Sequence, residues 1–192
     1  MKLQFKQQEF QIHAVEAVVE CFIGQKLKTN RFTLERTKEI IRKAKQAAAG
    51  NVQSIAFDTD VLEDIGYRNS PIQIPESQIL TNIKVVQKVN DLNESQQIER
   101  PKGVKLGYNL TIEMETGTGK TYTYIRTMYE LNKHYGWSKF IVIVPSIAIR
   151  EGVYKSFEIT QDHFQELYGH KINPFIYNSG RPQDIENFAS DS

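Results

Sequence analysis

Apolar positions recur at helical spacing close to the start of the chain. Phe10, Ala14, Ala17, Val18 and Cys21 fall on one face and predict a helix from about Gln7 to Phe22. After Asn30, Leu34, Thr37, Ile41, Ala44 and Ala48 recur at spacings of three and four and predict a second helix. Its other faces carry Arg36, Lys38, Arg42, Lys43 and Lys45. Gly66, Asn69, Pro71 and Pro75 then break the pattern. A third helix is predicted over about Glu76 to Asn90, burying Ile79, Ile83, Val86 and Val89. The polar stretch from Asp91 to Gly107, with Pro101 and Gly103, reads as a connecting loop. No internal repeat is present.

At Tyr108 the pattern changes. Asn109 to Met114 reads as a short strand, Glu115 to Gly119 as a glycine-rich turn, and Lys120 to about Tyr135 as a helix. Lys139 to Val144 is a continuous apolar, β-branched run of the kind that forms buried parallel strands. Pro145 ends it, a further helix begins near Ser146, and Asn173 to Tyr177 suggests a third strand. This alternation predicts an α/β fold, a parallel sheet with flanking helices, preceded by a mainly helical N-terminal region. The chain divides on this reading into an N-terminal helix (1–24), a mainly helical insertion and linker (25–107) and an incomplete α/β domain (108–192). Such a sheet normally has more strands, so the sequence reads as a fragment.

Composition narrows the class. The 192 residues are 40% hydrophobic and 24% charged, which excludes collagen, full disorder and a disulfide-stapled miniprotein. The single cysteine, Cys21, cannot pair within the chain, so a reducing, cytoplasmic location is expected. No apolar run approaches the roughly 18 to 20 residues that span a bilayer, and the N-terminus has no signal-peptide core. A formal net charge of +1 demands no polyanionic partner. The excess of basic residues between Gln25 and Gly50 fits either a solvated helix face, with Glu39 and Lys43 paired at i,i+4, or nucleic-acid contact.

The sharpest chemical signal is METGTGKT, Met114 to Thr121. A phosphate-binding P-loop reads G-x-x-x-x-G-K-[ST] between a strand and a helix. Gly119, Lys120 and Thr121 match; Met114 stands at the first glycine position, and Gly117 keeps a second glycine inside the turn. Successive loop and helix amides would face phosphate oxygens, favoured by the helix dipole. Lys120 would supply a cation for the β- and γ-phosphates, and the Thr121 hydroxyl could ligate Mg²⁺ through the nucleotide. The nucleotide-binding set is Glu115, Thr116, Gly117, Thr118, Gly119, Lys120, Thr121 and Tyr122, joined by Gln11, whose amide suits the adenine edge. The plain alternative is a glycine-rich turn with an incidental lysine, and for Gln11 a surface glutamine. Farther on, Ser146 can cap a helix, and with Arg150 it could hold a nucleic-acid phosphate, or the pair is simply a capped helix with an exposed arginine. The four histidines show no ligand spacing, and Tyr122, Tyr124, Tyr129 and Tyr135 read as packing residues.

The run from Tyr108 to Glu158, carrying METGTGKT and VPSIAIREG, resembles the Res subunit of type III restriction-modification enzymes. Met in place of the first P-loop glycine is typical of that family. The resemblance is dense from Tyr108 to about Phe164, loose over the first 25 residues and poor between. It implies a superfamily 2 helicase-like ATPase with RecA-like domains, in which METGTGKT is motif I, VPSIAIREG is motif Ia and the region of Gln11 is similar to the adenine-reading Q motif. It further implies ATP and Mg²⁺ at Lys120 and Thr121, and double-stranded DNA along Ser146 and Arg150. The implied partner is the methyltransferase subunit Mod, to which S-adenosylmethionine belongs. No D-E-x-x sequence follows motif Ia, so the chain by itself is expected to have no substantial ATPase, translocase or nuclease activity. Another superfamily 2 translocase, from repair or type I restriction, and a non-catalytic module binding Mod or DNA are the alternatives.

Overall fold

The structure, a computed structural model, describes residues 5–27, 69–103, 107–178, 180 and 188. The predicted helix after Asn30 and most of the basic stretch lie outside the described residues. Among the described residues there are four helices: α1 Glu9–Glu20, α2 Glu76–Val89, α3 Lys120–Tyr135 and α4 Ile147–Tyr168. Helix α1 lies along α3, α3 packs on α4, and α2 touches α1.

Local chemistry explains where these helices start and stop. Pro75 precedes α2, where its missing N–H costs nothing, and its carbonyl accepts from Gln78 and Ile79. Helix α3 ends at Gly136 and α4 at Gly169, both in the left-handed region that glycine adopts without strain. Ser146 caps α4 by accepting a hydrogen bond from the Ile149 amide at 3.3 Å.

Two apolar clusters hold the helices together. The first joins Val15, Val19, Cys21 and Phe22 to Ile79, Ile83 and Ile98, and to Tyr135 and Trp137 at the far end of α3. Phe22 meets Trp137 edge-on at 5.1 Å between ring centres, and Tyr135 donates to the Val19 carbonyl at 2.7 Å. The second cluster joins Ile125 and Tyr129 of α3 to Phe164 of α4, with Tyr122, Tyr124 and Phe157 around them. Polar staples reinforce the first. Asn82 donates to the carbonyls of Cys21 and Ile23, Gln25 bonds Pro71 and Gln73, and Asn69 bonds the backbone of Ser138 and Lys139.

Two expectations about faces need correction. On α1 the buried row is Gln11, Val15 and Val19, whereas Phe10 is half exposed. The helix therefore turns a neighbouring face inward, because that row is the one lying against α3. On α2, Ile79 and Ile83 are buried and Val86 packs beside them, but Val89 is exposed and Asn82 takes an inward position.

The α/β expectation is overturned. Among the described residues there are four helices, no strand and no sheet. The segments 109–114, 139–144 and 173–177 have no ladder, and the tertiary backbone bond here, Asn109 N–H to Glu99 at 2.8 Å, leads to a loop. A buried parallel strand is covered on both faces, yet Ile141 is 79% exposed and Ile143 90%. β-Branched composition states a preference; a strand exists only where neighbours complete its hydrogen bonds.

Candidate functional site

The loop between Met114 and Lys120 is built from backbone requirements. Thr118 Oγ1 donates to the Glu115 carbonyl at 2.7 Å, closing a tight turn. Gly117 and Gly119 both have positive φ, 85° and 86°, which residues with a Cβ adopt only at a cost. Nothing lies within 4 Å of a Cβ placed on Gly117, so the turn has open space on that side. On Gly119 such a Cβ would sit 2.5 Å from Gln11 Nε2. Gly119 is also the N-terminal flank of α3, so the turn feeds directly into a helix of 16 residues.

Gln11 belongs to this loop. It is buried, and its Nε2 donates to the Thr118 carbonyl at 2.9 Å across 107 residues of sequence. The glutamine amide thus braces the turn. Lys120 arches back over the loop, donating from Nζ to the Met114 carbonyl at 2.7 Å while remaining exposed. The first turn of α3 contains no acidic residue, so nothing there opposes an anion at the positive end of the helix dipole.

Behind the loop stands an aromatic stack that the sequence reading did not single out. Tyr122 stacks on Phe5 at 6.1 Å and on Phe164 at 5.0 Å, and its hydroxyl lies 2.9 Å from His163 Nε2. Phe5 also faces the His163 ring at 5.2 Å. Arg126, one turn further along α3, donates to Gln7 at 3.2 Å and ties the segment before α1 to the same place. Burial lowers the His163 pKa, nearby Arg126 lowers it further, and Glu166 opposes them. Burial raises the Tyr122 phenol, against the pull of Arg126. Tyr124 is raised by burial as well, with the Thr121 hydroxyl beside it acting in the opposite sense. Five residues lie between Phe5 and the loop's brace Gln11, but only packing reveals that both reach the region of the loop and α3.

Ser146 and Arg150 are close to each other, on a separate helix end. With Val144, Pro145 and Ile147 they line a shallow open depression. Ser146 Oγ is engaged as the cap, and the Arg150 guanidinium lies 2.8 Å from Glu151 Oε1, a pair in the exposed range where ion pairs are weak. The structure therefore groups Gln11 with residues 115–121 and Tyr122, and keeps Ser146 and Arg150 on the neighbouring helix. Among the described residues no cluster of three or more His, Cys, Asp or Glu could hold a metal, and no helix is long and apolar enough to cross a membrane.

The donor set fits a phosphate tail with a hard cation held through it: open space above Gly117, a helix N-terminus free of carboxylates, an ammonium group and a threonine hydroxyl.

Comparison with known proteins places the chain in a family. Residues 4–184 match the family described as type III restriction enzyme, res subunit. The chain is 34% identical over 136 residues to the Res subunit of the type III restriction-modification enzyme EcoP15I of Escherichia coli, an alignment covering 65% of this chain and 14% of that protein. It is 33% identical over 141 residues to the EcoPI Res subunit of Escherichia phage P1, with the same two coverages. The StyLTI Res subunit of Salmonella typhimurium is 47% identical over 62 residues, covering 31% of this chain and 6% of the relative. The chain thus spans a small part of the length of these relatives. With nearly its whole length matched by one family, and the glycine-rich loop inside that match, this chain belongs to the Res-subunit family of type III restriction enzymes.

Proposed function

We propose that this chain is the nucleotide-gripping part of an ATP-dependent Res subunit of a type III restriction-modification endonuclease. The observation that carries the reading is the loop itself. Two left-handed glycines deliver the backbone into α3 at Lys120, with the ammonium group poised across the turn and Gln11 bracing it from behind.

In this proposal the amides of residues 115–121 surround the phosphate tail of ATP. Lys120 exchanges the Met114 carbonyl for the β- and γ-phosphate oxygens, and Thr121 offers its hydroxyl to Mg²⁺. The magnesium ion neutralises phosphate charge when bound. Gln11 and Tyr122 border the place of the base. Ser146 and Arg150 serve double-stranded DNA, with Arg150 leaving Glu151 for a phosphate. The DNA-reading partner is the Mod subunit, and S-adenosylmethionine enters only through it.

Isothermal titration of the purified chain with Mg-ATP tests the proposal. Wild type is expected to bind, and Lys120→Ala to lose about tenfold or more in affinity, the scale of one charge-assisted hydrogen bond. Equal affinity in the two proteins would overturn it.

A further inference from the structure

In the nucleotide-binding reading Gln11 borders the place of the base, yet the nitrogen end of its amide is turned to the phosphate loop. Thr118 meets it with a carbonyl, which only accepts, so the amide nitrogen must be the end that faces the loop. The contact is 2.9 Å long, and the side chain is buried. The same nitrogen lies 2.5 Å from where a Gly119 Cβ would stand, so it fills the space that the glycine leaves. Thr118 is held from its other side as well. Its hydroxyl and its backbone N–H both donate to the Glu115 carbonyl, at 2.7 and 3.4 Å.

Held on both sides, the peptide between Thr118 and Gly119 keeps one orientation. In a planar trans peptide the C=O and the following N–H point in opposite directions. A Thr118 carbonyl directed at α1 therefore directs the Gly119 N–H away from α1. Among the described residues no backbone carbonyl receives that N–H. It lies at the entrance to α3, where the helix dipole favours negative charge and the first turn carries no acidic residue. A phosphate oxygen is the acceptor that suits it.

We infer that Gln11 is a positioning residue for the phosphate tail: by holding the Thr118 carbonyl it aims the Gly119 N–H at a phosphate oxygen. Its share of the affinity therefore follows the triphosphate and is indifferent to the base attached. This rests on the nucleotide-binding reading given above. Gln11 acts through the backbone of the loop, and its amide nitrogen is spent there.

The test compares ligands that share the tail and differ in the base. The purified chain and its Gln11→Met variant are titrated with the magnesium complexes of ATP, GTP and inorganic tripolyphosphate. Methionine keeps much of the length and bulk of the side chain and removes the donor. Gln11→Met is expected to lose about five- to tenfold in affinity for all three ligands alike, leaving the ATP-to-GTP ratio of wild type unchanged. A loss confined to ATP makes Gln11 a reader of adenine and overturns the inference alone. A loss that spares tripolyphosphate, or unchanged affinity for all three, overturns it as well, whatever happens to the melting temperature. Wild type that binds ATP but no tripolyphosphate also counts against it, because the loop then does not grip the tail by itself. Absence of binding to any of the three by wild type overturns the nucleotide reading and this inference with it. A second measurement leaves Gln11 unaltered. Tripolyphosphate added to ¹⁵N-labelled wild type should move the Gly119 amide proton downfield, as donation to an anion does. A Gly119 amide that stays in place while tripolyphosphate binds overturns the inference.

Discussion

A methyl group at Gly119 would meet two obstacles at once. The backbone there has φ 86°, a region that costs L-residues about 1–2 kcal/mol. The new Cβ would also lie 2.5 Å from Gln11 Nε2, pushing the brace off the Thr118 carbonyl. Gly119→Ala is therefore expected to lower the melting temperature and to weaken Mg-ATP binding together. Gly119→Ala in a Gln11→Ala background should recover part of the stability, since the steric term goes and the backbone term stays. Thermal melts of the three variants check this; a Gly119→Ala protein as stable as wild type would contradict it. Gly117 is the contrast: its φ is equally positive, but no atom lies within 4 Å, so Gly117→Ala should cost only the backbone term.

Between helices, the joint of α3 and α4 near the loop depends on an uncharged imidazole. His163 sits among Phe5, Tyr122 and Phe164, and burial together with Arg126 lowers its pKa below the usual 6.5. The folded protein therefore binds the proton less readily than the unfolded chain does. Stability from this group is complete above about pH 6.5 and is lost as pH falls from there through the lowered folded value. Melting temperatures measured downward from neutral pH should fall across that window in wild type. In His163→Gln, whose side chain does not titrate, the drop should be shallower. Identical pH profiles would show that His163 carries none of the dependence.

Over the whole molecule, the apolar run after Lys139 stands out against two packed clusters. Ile141 is 79% exposed and Ile143 is 90% exposed, next to Val142 and Val144. Contiguous exposed apolar residues of high β-propensity favour association between copies. Ile141→Lys combined with Ile143→Lys is expected to lower self-association of the chain at matched concentration, read by sedimentation velocity. Because both side chains are exposed, the melting temperature should move little. A wild-type chain that is strictly monomeric at high concentration would contradict the expectation.

Local chemistry made several features readable from the sequence: helices near 76–89 and 120–135, the cap at Ser146, the turn with Gly117 and Gly119, and the likeness to Res subunits carried by METGTGKT and VPSIAIREG. Each depends on residues within a few positions of one another, where periodicity, capping and left-handed backbone act without help from the rest of the chain. Packing decided the others. It chose Gln11, Val15 and Val19 over Phe10 as the buried row of α1, brought Gln11 to Thr118, and stacked Phe5 on Tyr122. It also left the run at 139–144 without a ladder, against its own composition. The physical reason is common to all of these. A face is buried, and a backbone N–H or C=O is paired, only when another part of the chain arrives to do it, and spacing along the sequence carries no record of that arrival.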